Sequence, residues 1–192
     1  MRSATVARTT AETSVRVSLN LDGTGRHDVR TGIGFFDHVL AQLACHGGFD
    51  LTVVAEGDLE VDAHHTVEDV GITLGQALSE ALSDRSGIAR FASLHAAMDD
   101  ALVLCAVDAG GRPFLACDLR FSLPVVGAFP TELVEEFLRA FVTHGRLTAH
   151  VRLVDGHNSH HIVEAVFKGL GVVLRRAVAV ERQGVPSTKG VL

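Results

Sequence analysis

Two stretches of this chain carry the residue types of a transition-metal site. His64-His65-Thr66-Val67-Glu68 and His160-His161-Ile162-Val163-Glu164 repeat one His-His-x-x-Glu pattern at an offset of 96 residues, half of the 192-residue chain. On a helix each histidine stands three or four residues from the glutamate, so either can meet its carboxylate on one face. The adjacent histidines point about 100° apart around the axis and do not readily chelate a single ion. Each motif is therefore expected to serve two metals, its histidines diverging to separate sites. Imidazole and carboxylate without thiolate suit Mn²⁺, Fe²⁺, Co²⁺, Ni²⁺ or Zn²⁺ and disfavour a Cys-rich structural zinc site. Spacing alone does not choose among these ions. One such motif reads equally well as a solvated first helical turn whose glutamate favours the helix dipole. Two copies in register argue against that.

The internal match extends upstream of both motifs. His46-Gly47 repeats as His144-Gly145 at an offset of 98, and Phe36–Ala44 aligns with Val134–Val142. A two-residue length difference in the loop before each His pair reconciles the offsets. The alignment sets His38 opposite Glu136 and brings the candidate ligands to eight: His38, His64, His65, Glu68, Glu136, His160, His161 and Glu164. Shared between two ions, they leave positions for substrate or water. His27 and His95 read as surface or packing histidines, and His46 and His144 as favourable cations at helix C-termini. His150 and His157 have no assigned role.

These side chains must be positioned by elements that repeat. Alternation over Thr13–Asn20 predicts a half-buried strand, followed by a Gly23-Thr24-Gly25 turn and a weaker strand over Arg26–Thr31. Helical spacing over Phe35–His46 stops at Gly47-Gly48; a strand over Phe49–Ala55 and a long helix over His64–Ser83 follow. The second half offers strands at Ala89–Met98, Ala101–Asp108 and Phe114–Phe121, a helix at Thr131–His144, a strand at Leu147–Val154 and a helix at His160–Val180. The tail Pro186-Ser187-Thr188-Lys189-Gly190 has no regular signal. This predicts an α+β fold: a two-layer unit with both helices on one face of an antiparallel or mixed sheet, present twice as residues 1–88 and 89–192 of one compact unit.

Composition limits the partners. With 17 basic and 23 acidic residues the formal net charge is −6, and without a basic run nothing points to nucleic acid. No apolar run approaches the ~20 residues that span a bilayer, and Met1–Ser14 holds no apolar core of a signal peptide. Cys45, Cys105 and Cys117 are odd in number and widely spaced; no disulfide framework is implied, all three are expected to be small buried hydrophobes, and a reducing cytoplasm fits.

Five motifs, in order, resemble the imidazoleglycerol-phosphate dehydratase family: Thr31-Gly32-Ile33-Gly34-Phe35-Phe36-Asp37-His38-Val39-Leu40, Asp62–Asp69, Gly111-Arg112-Pro113-Phe114, Asn158–Ala165 and Pro186–Leu192. The similarity runs from about Thr9 to the C-terminus. It implies dehydration of D-erythro-imidazole-glycerol phosphate to imidazole-acetol phosphate in histidine biosynthesis, with Mn²⁺, two ions per subunit. It also implies a tandem repeat of a ribosomal-protein-S5-domain-2-like unit and a 24-subunit particle of trimers with metal sites at subunit contacts. The family's metal ligands fall on His38, His64, His65, Glu68, His160, His161 and Glu164. An eighth, a histidine in the family, falls on Glu136, where a carboxylate oxygen can replace imidazole at Mn²⁺. Glu12 matches an acidic residue that contacts substrate and is the candidate proton carrier. Together with the first histidine and the glutamate of each motif, it makes up the candidate catalytic set Glu12, His64, Glu68, His160 and Glu164. Gln42, one turn beyond His38, could reach the same pocket. Arg90, Arg112, Lys168, Ser187, Thr188 and Lys189 match residues around the substrate phosphate. For Lys168 the plain alternative is an i,i+4 ion pair with Glu164. Two rival activities are a dinuclear metal phosphohydrolase and a non-catalytic metal-binding homologue. Phosphate release, or metal without turnover, would mark them.

Overall fold

Residues 2–181 and 183–189 are described by the structure, a computed structural model. The first half runs β1 (Ser3–Thr9), β2 (Thr13–Asn20), β3 (His27–Arg30), α1 (Gly34–Gly47), β4 (Asp50–Gly57) and α2 (His64–Leu82). The second runs β5 (Phe91–Met98), β6 (Ala101–Asp108), β7 (Phe114–Asp118), a small β8 (Val125–Val126) and β9 (Phe129–Pro130) hairpin, α3 (Leu133–Gly145), β10 (Thr148–Asp155) and α4 (Ser159–Ala177). The sheets are ordered β1-β2-β4-β3 and β5-β6-β10-β7. In each, three antiparallel strands are followed by a parallel pair, β3 with β4 and β7 with β10. Identical order and sense in both sheets establish the duplicated α+β unit that the repeated motifs predict.

Beyond the two-residue strands of the β8–β9 hairpin, one strand was not expected from the sequence: β1. Its inward row is Ala4, Val6 and Arg8, too weakly apolar to register as alternation. The inward arginine is satisfied by Asp69 of α2, whose Oδ1 accepts from Arg8 Nε at 2.8 Å while Oδ2 accepts from the Thr13 hydroxyl. That buried carboxylate clamps the β1–β2 hairpin to α2. Elsewhere the differences lie at element ends, as in β7, which stops at Asp118, and α4, which spans Ser159–Ala177. The cysteines also differ from expectation, since Cys45 lies exposed on the last turn of α1 and Cys117 is only partly buried. Burial pushes the Cys105 thiol up to about 12.

Each sheet buries one face, Val15, Val17, Leu51 and Val53 in the first and Val103, Cys105, Ala149 and Val151 in the second. The helices pack on these faces and on one another, α2 against α3 and α1 against α4. Glycines set the distance. A Cβ at Gly75 would fall 2.6 Å from the Phe141 carbonyl oxygen, and one at its counterpart Gly171 would fall 2.5 Å from that of Leu43. Between the halves, Phe36 of α1 meets Phe137 of α3 edge-on at 5.5 Å, and Phe137 stacks on Phe167 of α4 at 5.1 Å. The two halves therefore share an aromatic core. After α4 the chain returns to the link between halves: Ile88 bridges Val180, and the Gly87 N–H donates to the Gly184 carbonyl at 2.7 Å. Gly190, Val191 and Leu192 of the tail motif lie outside the described residues. No described helix is long and apolar enough to cross a membrane.

Candidate metal centre and substrate residues

Local caps put both His pairs on first turns. The Asn158 side chain accepts from the backbone N–H groups of His160 and His161 at 3.0 and 3.3 Å, fixing the start of α4. In α2 the Asp62 carboxylate accepts the His64 N–H at 2.7 Å. Within each pair the ring planes stand nearly perpendicular, at 84° for His64 and His65 and 88° for His160 and His161, with centroids 6.1 and 6.0 Å apart. In α4 the two histidines meet different partners, Glu164 for His160 and Asp100 for His161.

The inner histidine of α4 joins a cluster. Glu164 Oε1 lies 2.8 Å from His38 Nε2 of α1 and 2.9 Å from His160 Nε2, while Glu164 Oε2 takes the Lys168 ammonium at 2.8 Å. Burial of Glu164 opposes its charge, yet hydrogen bonds from Lys168, His38, Gln42 and His160 outweigh it and hold the carboxyl down at about 2. Lys168 thus makes the helical ion pair, and Gln42 reaches the same group, its Nε2 standing 2.8 Å from His38 Nε2. His38 Nε2 cannot serve both neighbours. As a donor to Glu164 it has no lone pair for the Gln42 amide, and as an acceptor it opposes a carboxylate oxygen. The Gln42 Oε1 is buried without a hydrogen-bond partner. The donor types of His38, His160 and Glu164, with that conflict beside them, suit a divalent cation of the Mn²⁺–Zn²⁺ series, which would have to draw together two imidazoles that here do not form a ready-made three-ligand group with Glu164.

The outer histidines face elsewhere. His65 Nδ1 lies 2.9 Å from Asp58 Oδ2, and Glu12 Oε2 lies 3.8 Å from the same nitrogen. The Asp58 carboxylate, with smaller help from Glu12, holds His65 above the usual imidazole range despite the opposing cost of burial. Glu12, Asp58 and His65 form the one group of three ligand-type side chains within 4.8 Å of one another among the described residues. His161 Nδ1 lies 2.7 Å from Asp100 Oδ1. Asp100 Oδ2 also accepts the backbone N–H groups of His157 and Asn158, which with His161 hold its carboxyl well below the usual carboxylate range. Neither Asp58 nor Asp100 stood out in the sequence. His64, Glu68 and Glu136 occupy the places in α2 and α3 that His160, Glu164 and His38 hold in α4 and α1. Among the described residues, the side chains of Glu68 and Glu136 have no hydrogen bond or ion pair.

The residues expected around a phosphate are divided. Lys168 is at the cluster, with its ammonium 3.3 Å from Met98 Sδ beside the β5–β6 turn. Arg90 is at the other end of β6, where its guanidinium grips Asp108 at 2.7 and 3.0 Å and donates from Nη1 to the Pro186 carbonyl at 2.8 Å. Arg112 is exposed nearby, its carbonyl accepting from the Thr148 hydroxyl. Ser187 accepts the Lys189 N–H at 3.2 Å, and Thr188 and Lys189 are exposed.

Fold and side chains together define a duplicated α+β protein that repeats a His-His-x-x-Glu motif at the first turns of α2 and α4 and gathers His38, His160 and Glu164 into one imidazole–carboxylate cluster. The family model of imidazoleglycerol-phosphate dehydratase matches residues 31–174. The chain is 55% identical to the imidazoleglycerol-phosphate dehydratase of Cereibacter sphaeroides, with all of both chains covered. Its fold is similar to that of the crystallised imidazoleglycerol-phosphate dehydratase of Staphylococcus aureus (TM-score 0.84, 37% identity, 93% of this chain and 99% of that one). It is also similar to that of the Pyrococcus furiosus protein (TM-score 0.85, 40% identity, 97% and 100% covered). The chain belongs to the imidazoleglycerol-phosphate dehydratase family.

Proposed function

We propose that this chain removes water from imidazole-glycerol phosphate to give imidazole-acetol phosphate in histidine biosynthesis, with two Mn²⁺ ions per chain. The observation that carries this is the convergence of His38 Nε2 and His160 Nε2 on Glu164 Oε1, at 2.8 and 2.9 Å, within a chain of this family. His38, His160 and Glu164 would hold one ion, and His64, Glu68 and Glu136 a second in the equivalent place. His65 and His161, turned outward, would complete ions whose other ligands lie on a neighbouring copy. When bound, the ions supply Lewis-acid polarisation of the departing hydroxyl and a template for the imidazole ring. Lys168 keeps Glu164 ionised and aimed. Glu12, exposed at the tip of the β1–β2 hairpin and near His65, carries the proton taken from carbon. Arg90, Arg112, Ser187, Thr188 and Lys189 take the phosphate, the arginines by forked hydrogen bonds.

These phosphate groups stand one strand's length from the metal cluster, since the eight residues of β6 separate the Asp100 end from the Arg90 end by roughly 25 Å. A phosphorylated three-carbon chain does not span that gap. The reading therefore requires a second copy to bring the two ends together, in keeping with the 24-subunit particle of trimers that the resemblance implies. Phe91 and Phe114, 61% and 58% exposed on the outer face of the second sheet, favour such self-association. Three free thiols accord with a cytoplasmic location.

Elemental analysis of the purified protein combined with product analysis tests the reading. Manganese at about two per chain, with ketone formed and no phosphate released, is the expected result. Metal-free inactive protein, or release of inorganic phosphate, would overturn it.

A further inference from the structure

The two halves tie down their outer histidines with carboxylates that are not counterparts in the fold. Asp58 directly follows Gly57, the last residue of β4, which pairs with Thr13 at the start of β2. In the second half the matching glycine is Gly156, packed so tightly on Ala101 at the start of β6 that a Cβ would lie 2.7 Å from the Ala101 Cα. The residue that follows it is His157, so no carboxylate stands in Asp58's place. There the group that meets the outer histidine is Asp100, the residue immediately before β6. The residue immediately before β2 is Glu12. Asp100 and Glu12 therefore occupy the same hairpin position, yet only Asp100 is committed to a histidine. Because Asp58 already accepts from His65 Nδ1 at 2.9 Å, Glu12 stays 3.8 Å away, beyond hydrogen-bond reach, with its side chain 55% exposed.

We infer that Asp58 and Asp100 are positioning residues that fix the tautomer and ring plane of His65 and His161, leaving each Nε2 for a metal. We infer also that this exchange of places is what leaves Glu12, alone of the two hairpin carboxylates, free to move a proton. The physical basis is general: a ligating imidazole is oriented by the acceptor on its other nitrogen, and that acceptor sets which nitrogen keeps a lone pair. His157 cannot replace it, because its backbone N–H and ring Nδ1 both face Asp100 Oδ2, at 2.8 and 3.2 Å. Asp99 is a weaker neighbour of His161, 3.5 Å from Nε2 on a side chain 73% exposed. The role of Glu12 rests on the function proposed above; the Asp–His pairs do not.

The test uses Asp58→Asn, Asp100→Asn and Glu12→Gln in the full chain, with Mn²⁺ as the probe. Asparagine keeps the shape of aspartate but can turn an N–H toward Nδ1, which moves the ring proton to Nε2. Calorimetric Mn²⁺ affinity is expected to fall about 10–100-fold in Asp58→Asn and Asp100→Asn. Solid-state ¹⁵N spectra of histidine-labelled, metal-free protein should show one ring per chain changing tautomer. The Asp58 carboxylate has no other hydrogen bond among the described residues, so Asp58→Asn should change metal-free melting little at alkaline pH, where His65 is neutral in both proteins, even if Asp100→Asn disturbs the 156–158 loop. Glu12→Gln should keep wild-type Mn²⁺ affinity while turnover falls. Wild-type affinity and tautomer in both aspartate variants would overturn the pairing, and a Glu12→Gln protein that loses Mn²⁺ as they do would overturn the division of roles. A chain inactive on imidazole-glycerol phosphate whose Asp58→Asn variant still loses Mn²⁺ would uphold the pairing and remove only the proposed function.

Discussion

Glu164 is a carboxylate kept charged against its burial. Its folded value, about 2, lies below its ordinary 4.5, so the stability it contributes is fully present above the unfolded value and is lost as pH falls through about 2. The shift corresponds to at most about 3 kcal/mol. Lys168 is the largest of the groups holding it down, so Lys168→Met should start the acid loss of stability at higher pH and cost about 1–3 kcal/mol near neutrality. Thermal melts of metal-free protein from pH 7 to pH 2 measure both; an onset identical to wild type would show that Lys168 does not hold the charge. At this scale the candidate ligands were legible, because two in-register His-His-x-x-Glu motifs are a local pattern. The partners that aim them were not. Asp58 lies in the loop between β4 and α2, outside the helix that carries His65, so helical spacing does not reach it, and Asp100 lies 61 residues before His161.

Helix contacts decide whether the ligands meet. Gly171 allows α4 to lie against the backbone of α1, and one element brings His160 and Glu164 while the other brings His38. Alanine is the better helix former by about 1 kcal/mol, which alone would make Gly171→Ala stabilising. Its Cβ, however, would stand 2.5 Å from the Leu43 carbonyl oxygen and 3.0 Å from the Gly47 nitrogen, both backbone atoms that cannot rotate away. Overpacking of this kind costs about 1–3 kcal/mol, so the net effect should be destabilisation by about 1–2 kcal/mol. Urea unfolding checks the sign, and Mn²⁺ titration should show weaker binding at the His38 cluster. Greater stability with unchanged binding would mean that the helix spacing does not set the ligand geometry. The helices and most strands could be read from periodicity. Of the strands not read this way, β1 shows the limit: Arg8 faces inward because Asp69 meets it there, and a pairing 61 residues distant leaves no trace in the alternation.

Over the whole molecule, the duplication puts both His-His-x-x-Glu motifs at helix N-termini and leaves Arg90, Arg112 and the tail at the opposite end of the second sheet. The candidate residues were readable from the chain, but their separation was not, since sequence order does not say which end of β6 faces which group. Arg90 is also less available than its residue type suggests, with Asp108 and Pro186 occupying its fork. If each site joins the cluster of one copy to the phosphate end of another, two defective variants should complement. His38→Ala removes a ligand from the cluster, and Arg112→Ala removes an exposed cation without breaking any side-chain hydrogen bond among the described residues. Each alone is expected to be nearly inactive. Mixed in equal amounts, dissociated and reassembled with Mn²⁺, they should recover up to about a quarter of wild-type turnover, the share of contacts in which both copies contribute an intact end. The same mixture without dissociation supplies the baseline. Reassembled mixtures that stay as inactive as the separate variants would mean that one chain supplies both ends, and the roughly 25 Å separation along β6 would then have to be closed by movement of the tail instead.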